Sequence, residues 1–295
     1  MRATVQAIHR HLFERRGIDL SRYKESYLKR RLLVRVRALR LAGLEEYAVY
    51  LRRHPEEIGP LQRALSIQVT GFFRNRSCFD FLKENVVPDL VQRSASRQNR
   101  LAVWSAGCAT GEETWSLAAL FATTLGARSR TRLRITGTDL DEEALQTARR
   151  AVYPADRLAA TMPGTERRHF EERADGRAAP RESLRRLVRF ERESLLDPFD
   201  RDDLDLIVCR NVLIYFSLEH QADILGRFAA ALSAGGFLVL GRVERLLGEA
   251  RLWFDVASAR ERVYRRLGGA APSNGHPSGG DPAAGLLPPH GVACA

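Results

Sequence analysis

The chain has 295 residues, 44% of them hydrophobic, with a formal net charge of +11 and four cysteines. That length and apolar content suit one large or two modest globular domains and exclude a wholly disordered chain, and no apolar run approaches the roughly 20 residues of a membrane-spanning helix. Cys78, Cys108, Cys209 and Cys294 are scattered without CxxC spacing, which argues against a disulfide framework and against a zinc site.

The charge invites a nucleic-acid reading, since basic proteins gain affinity by displacing phosphate counterions. Lysine, however, occurs only at Lys24, Lys29 and Lys83, so nearly all of the 47 positive side chains are arginines spread over every segment. An acidic protein partner uses the same field. The start, MRATVQAIHRHLFERRG, has no signal-peptide core, so a cytoplasmic protein with reduced thiols is expected, without membrane insertion.

In chain order, residues 1–80 read as a small all-helical domain. A helix is expected over 5–16, Gly17 ends it, and Asp19 or Ser21 can cap the next. In that second helix Leu28, Leu32, Val36 and Leu39 fall at i, i+4, i+8 and i+11, an apolar stripe. Lys29, Arg30, Arg31, Arg35, Arg37 and Arg40 leave a cationic solvent face, either merely solvated or a dock for an acidic helix. Gly43 closes the helix, and 45–53 and 56–67 are two more, punctuated by Pro55. Within the following run, SIQVTGFFRNR, Phe72 and Phe73 are expected to pack against the main domain; Thr70 and Arg74, four apart, share a face if the run is helical.

From residue 101 strands and helices alternate. Strands at 101–105, 133–138, 187–191, 204–209 and 237–240 make a doubly wound parallel sheet. The helix 218–233 is capped by Ser217 and stopped by Gly235 and Gly236, and 253–256 with 262–266 add an antiparallel pair at the sheet edge. Residues 153–186 are too long a crossover, broken by Pro154, Pro163, Gly164, Gly176 and Pro180; they read as an insertion without clear strand alternation. Residues 81–267 thus form the second domain, and 268–295, rich in Gly, Pro and Ala, a disordered tail.

Ligands of an open parallel sheet bind beyond the carboxyl ends of its strands. There the run LAVWSAGCATGEETWSL, 101–117, turns on Gly107 and Gly111 and opens a helix with Glu112 and Glu113. No Lys follows the glycines and two carboxylates sit at the helix mouth, so a ligand with a cationic end suits the turn better than a phosphate. Asp139 ends the second strand and can accept both hydroxyls of a ribose. Ser194 and Leu195 follow the third strand, and Arg210, Asn211 and Tyr215 project after the fourth, in CRNVLIYF.

Together TGFFR at 70–74, SAGCATGEE at 105–113, TDLD at 138–141 and CRNVLIYF at 209–216 resemble the CheR family, the chemoreceptor glutamate O-methyltransferases; GIDLSRYK at 17–24 and LEEY at 44–47 look like that family's N-terminal helical domain. The resemblance implies a Rossmann-like class I methyltransferase sheet behind a helical domain, no metal, and S-adenosyl-L-methionine as cofactor. Carried over by position, Thr70, Arg74, Gly107, Glu112, Asp139, Ser194, Leu195, Arg210 and Asn211 would contact it, Glu112 taking the amino end and Glu113 supporting the helix start. The substrate would be a glutamate carboxylate on the cytoplasmic methylation helices of a chemoreceptor (MCP). It is already ionised at neutral pH, so no general base is needed. Tyr215, with Arg93 as a second candidate, would orient it, and Lys29, Arg30, Arg35 and Arg37 would dock the acidic helices. A monomer acting on protein, not nucleic acid, is expected. The insertion corresponds to a small β-subdomain that grips a receptor peptide in some members. Gln68 and Ser194 stand where the family often has Asn, and Gly241-Arg-Val-Glu244 replaces a GHSE-like turn. Two alternatives compete with this reading: a regulator that binds the cofactor or a receptor without turnover, and a nucleic-acid methyltransferase. The latter lacks support from NVLIYF, which is not the motif that holds a flipped base.

Overall fold

The computed structural model describes residues 2–16, 18–65, 70–126 and 130–269. Gly17, Ile67, Gln68 and the tail beyond Gly269 lie outside the described residues, and with them the readings placed on those positions.

Helices α1 (Arg2–Arg16), α2 (Glu25–Ala38), α3 (Leu44–Arg53) and α4 (Ile58–Leu65) enclose a core of their own, in which Leu12, Leu32, Tyr47 and Leu61 are buried. The cap at Asp19 serves a single 3-10 turn, Leu20–Arg22, by accepting the N–H of Ser21 at 2.9 Å; α2 starts three residues later, at Glu25. A helical run follows the linker: α5 (Arg76–Phe81), a π-turn at Leu82–Val86, and α6 (Val87–Ser94).

The second core is built on a seven-stranded sheet. Its elements are β1 (Arg100–Ala106), α7 (Glu112–Leu125), β2 (Arg132–Asp139), α8 (Glu142–Arg150) and, after the insertion, β6 (Val188–Arg192), β7 (Leu204–Cys209), α12 (Leu218–Ala231), β8 (Leu232–Leu240), α13 (Ala250–Trp253), β9 (Phe254–Ser258) and β10 (Val263–Arg266). The strand order is β6-β2-β1-β7-β8-β10-β9, parallel except for the last two. The order reverses between β1 and β7, and a crevice opens at such a switch point. Strands buried on both faces read as mostly apolar runs, as LDLIVC does in β7, where Asp205 is the one charged residue.

Four boundaries differ from expectation. Phe72, Phe73, Cys78 and Phe79 bury in the same core as Leu101 and Val103 of β1, so packing sets the domain boundary before residue 70 rather than at 80. Helix α12 stops at Ala231, ahead of the two glycines, because Leu232 is already extended and pairs with Leu204 in the sheet. The insertion does contain strands: β3 (Tyr153–Pro154), β4 (Phe170–Glu172) and β5 (Arg177–Pro180) pair antiparallel in the order β3-β5-β4, among the short helices α9 (Ala155–Thr161), α10 (Gly164–Arg167) and α11 (Glu182–Arg185). Strands of two to four residues are too short to print an alternation in the sequence. The fourth boundary is the linker itself: positive φ at Phe73 (48°) and Asn75 (62°) makes 70–75 a turn, not a helix.

Candidate active site

Seven N-terminal-domain and linker residues roof a cavity of about 550 Å³ over the strand ends: Tyr23, Gly59, Gln62, Arg63, Leu65, Thr70 and Gly71. Arg74 joins them, and the floor is made by Gly107 to Ala109, Asp139, Ser194, Leu195 and residues 210–212 and 214–216. The two domains meet along this seam. The N–H of Lys24 donates to the carbonyl of Tyr215 at 3.0 Å, the N–H of Ser217 donates to Arg22 at 3.0 Å, and Tyr27 of α2 packs on the Tyr215 ring, centroids 4.7 Å apart.

The floor is made rigid by its own backbone. Gly107 has φ +78°, and a Cβ there would stand 2.5 Å from a methyl of Val212, so only glycine lets β1 and the loop after β7 close on each other. The N–H groups of Gly107 and Cys108 both donate to the carbonyl of Thr138, at 2.8 and 2.9 Å. Asp139 is then locked from both sides, one carboxylate oxygen accepting the N–H of Ala109 at 2.8 Å and the other that of Asp141 at 2.9 Å. Burial pushes its carboxyl above the usual range, while those N–H bonds pull it back.

Glu113 is the carboxylate of α7 that reaches the cavity. Its Oε1 accepts from Ser105 Oγ at 3.0 Å and its Oε2 pairs with the buried guanidinium of Arg210 at 3.3 Å. Burial raises its carboxyl, and Arg210 opposes that. Arg210 also donates to the carbonyl of Arg74 at 2.8 Å, tying β7 to the linker. Tyr215, half-buried, has its phenol raised by the same loss of water.

Of the residues singled out in the sequence, Thr70, Arg74, Gly107, Asp139, Ser194, Leu195, Arg210, Asn211 and Tyr215 are brought together on one cavity. Thr70 and Arg74 converge there through a turn, not a helix face. Glu112 is not among the lining residues: it is buried, holding Thr110 Oγ1 at 2.6 Å, and its neighbour Glu113 takes the position at the wall, the reverse of the expected division. Arg93 leaves the site altogether. Its guanidinium donates to the carbonyl of Ala234 and lies over Gly235, at the beginning of β8 and so at the opposite end of the sheet from the cavity. Arg35 leaves the cationic face. It forms two bonds, 2.7 and 2.9 Å, to the buried carboxylate of Glu57, which also accepts from Tyr47 at 3.0 Å. At about 100° per residue, Arg30 and Arg37 lie within roughly 20° of each other around α2, and Arg35 falls on the far side beside the apolar stripe. Arg30 and Arg37 are exposed and Lys29 half-exposed.

Sequence reasoning passed over Tyr23, Gln62 and Arg63 as lining residues. An amphipathic helix end over a neighbouring domain leaves no mark in its own pattern.

Comparison with known proteins gives consistent findings. The family described as "CheR methyltransferase, all-alpha domain" matches residues 3–66, and "CheR methyltransferase, SAM binding domain" matches 68–263. Chemotaxis protein methyltransferase 2 of Pseudomonas aeruginosa is 35% identical over 89% of this chain and 92% of its own length. A chemotaxis protein methyltransferase of Listeria innocua is 34% identical over 79% of this chain and 87% of its own. An uncharacterized 104.1 kDa protein of Rhodobacter capsulatus is 37% identical over 85% of this chain, which spans only 26% of that protein.

Proposed function

Because the chain belongs to the CheR methyltransferase family, we propose that it methylates glutamate side chains on the cytoplasmic helices of a chemoreceptor, yielding methyl esters in chemotaxis adaptation. It is an S-adenosylmethionine-dependent methyltransferase. The cofactor, when bound, supplies an electrophilic sulfonium methyl group. The observation that carries the reading is the composition of the cavity between the domains: the carboxylates of Asp139 and Glu113, the guanidinium groups of Arg74 and Arg210, and the Tyr215 phenol all line it.

The residues present fit that cofactor. Asp139 is fixed by two N–H bonds with its carboxylate in the cavity wall, as a ribose diol requires. The positive-φ cradle at Gly107 keeps a side chain out of the space beside it. Glu113 suits an ammonium, and Thr70 and Arg74 suit the carboxylate of the same amino acid end. The work left to the chain is then orientation. The incoming glutamate is already anionic, so no side chain must remove a proton. Tyr215, which lines the cavity and packs on Tyr27, would donate its phenol to that carboxylate. Holding two reactants in line is worth up to about 7–11 kcal/mol in well-oriented cases. Lys29, Arg30 and Arg37 would draw the acidic receptor helices toward the same seam, and the protein would act as a monomer in the cytoplasm. Neither the non-catalytic regulator nor the nucleic-acid methyltransferase is favoured by relatives named as chemotaxis methyltransferases.

The test is chemical. Protein, methyl-labelled S-adenosylmethionine and a receptor cytoplasmic domain are incubated and then treated with mild base. Methyl esters release volatile methanol. Base-stable label on the receptor, or none at all with the cofactor still bound, would overturn the assignment.

A further inference from the structure

Glu244 does not line the cavity, yet two strand ends meet on its carboxylate. It is buried. Oε2 accepts the N–H of Gly241 at 2.6 Å and of Asn211 at 2.9 Å; Oε1 accepts the N–H of Val212 at 2.9 Å and of Ile214 at 3.3 Å. Three of these four donors belong to the loop after β7, the segment that carries Asn211 and Tyr215 into the cavity. Such a loop, leaving a buried strand, would otherwise strand its N–H groups away from water.

The geometry around the carboxylate is tight as well as satisfied. Asn211 has φ +61°, a left-handed conformation that Asn tolerates better than other side chains and that fixes the direction of the loop as it leaves β7. Gly241 has no room for a side chain: a Cβ there would lie 2.6 Å from Glu244 Oε2 and 2.8 Å from the Asn211 nitrogen. Val212, the next residue held, is the one that closes on Gly107. A single side chain from the β8 turn therefore decides how the β7 loop lies across the switch point.

We propose that Glu244 is a positioning residue for methyl transfer, setting the conformation of residues 210–216 and through it the placement of the Tyr215 phenol and the Asn211 side chain. This rests on the methyltransferase reading above for its consequence, though not for its geometry. A neutral amide at 244 keeps the volume but turns one acceptor into a donor facing N–H groups, so the loop should relax while the sheet stays folded.

The experiment uses the full chain in two arms. In wild type, amide hydrogen exchange of residues 211, 212 and 214 should be slow, comparable to β7. In Glu244→Gln these three should lose protection by about 100-fold while amides of β1 and β7 keep theirs. In the methylation assay Glu244→Gln should lower kcat about 10- to 100-fold, with KM for the receptor domain within about threefold. Combined with Tyr215→Phe it should cost clearly less than the product of the two single losses, because both act in part on one phenol. A merely structural role predicts additive losses and a global fall in protection. Fast exchange of the three amides in wild type overturns the proposal whatever the activity, and needs no variant to fold. Additive losses, or an unchanged kcat in Glu244→Gln, overturn it too. No methyl transfer by wild type with these amides protected would overturn the functional reading and leave the hold of Glu244 on the loop standing.

Discussion

Two charged regions of the molecule work in opposite ways. On the outer face of α2 the cations are exposed and only loosely committed: Arg30 lies 6.0 Å from the Tyr27 ring centroid, and Arg37 is open to solvent. At the cavity floor every charge is held. Asp139 has two N–H donors, Glu113 has Ser105 and Arg210, and Arg210 in turn has the carbonyl of Arg74. Exposed charges attract a partner over a distance and are screened by salt, with a Debye length near 8 Å at physiological ionic strength. Buried charges with fixed partners do not steer; they define a shape. The contrast also divides one helix, since Arg35 of α2 belongs to the second kind through its bonds to Glu57.

The largest effect is expected where the floor is broken. Asp139→Ala removes the acceptor for a diol and leaves the N–H groups of Ala109 and Asp141 without it, so affinity for S-adenosylhomocysteine should fall about 100-fold, given ~1.5–3 kcal/mol for hydrogen bonds to a charged group. Calorimetry reads this directly; affinity within threefold of wild type would remove Asp139 from the site. Next comes Arg35→Met. It keeps the stem but leaves Glu57 buried with Tyr47 alone, and should destabilise the N-terminal domain by about 2–3 kcal/mol, discounted from the values for a fully buried pair because Arg35 is partly exposed. Arg37→Met, the control on the same helix, should leave the unfolding midpoint unchanged. Equal effects would erase the distinction drawn within α2.

Much of this was legible in the sequence, for reasons that differ by element. Each residue that follows a parallel strand is placed by topology, so Gly107, Asp139, Ser194 and Asn211 converge as soon as the strands are recognised. The N-terminal roof is another matter. Periodicity marks which face of α2 is apolar but not which arginine beside the stripe meets a buried acid, and Glu57 sits in a 3-10 turn that gives no signal of its burial. Glu112 and Glu113 are adjacent, so a frame of 100° between them decides which faces the cavity, and that frame depends on where β1 ends. Arg93 lies on a helix that follows a π-turn, and such a helix cannot be phased by counting at 100° per residue. Glu244 shows as an acid in a turn; its four backbone partners come from two segments some thirty residues apart.

The pH dependence sharpens the contrast from the floor's side. Burial raises the carboxyls of Asp139 and Glu113 above their ordinary values. For an acid with a raised folded pKa, the contribution to folding is fully present below the unfolded pKa, about 4, and is lost as pH rises through the folded value. Ligand binding runs the other way, because a diol and an ammonium need the anions. Affinity for S-adenosylhomocysteine should therefore begin to fall at a higher pH than an ordinary carboxylate allows, by up to about tenfold per pH unit once Asp139 protonates. Titration calorimetry from about pH 7.5 to 5, with circular dichroism to confirm the fold, measures it; a flat profile would mean that burial is relieved when the ligand enters.

The smallest effects belong to the outer face of α2, and they are diagnostic because of how they vary. Arg30→Glu and Arg37→Glu should each raise KM for an acidic receptor domain about three- to tenfold at low salt and leave kcat, cofactor affinity and thermal stability unchanged, since surface charges act on encounter more than on the bound state. Raising the ionic strength to about 0.5 M should shrink the difference from wild type, because screening then shortens the field to a few ångströms. Arg35→Glu should behave differently in every respect: a carboxylate set against buried Glu57 unfolds the domain, and salt does not rescue it. If the two exposed substitutions lowered kcat at saturating receptor, the helix would be touching the reacting groups rather than gathering their carrier. Tyr27, which already bridges α2 to Tyr215, would then be the route by which a docked helix reaches the phenol.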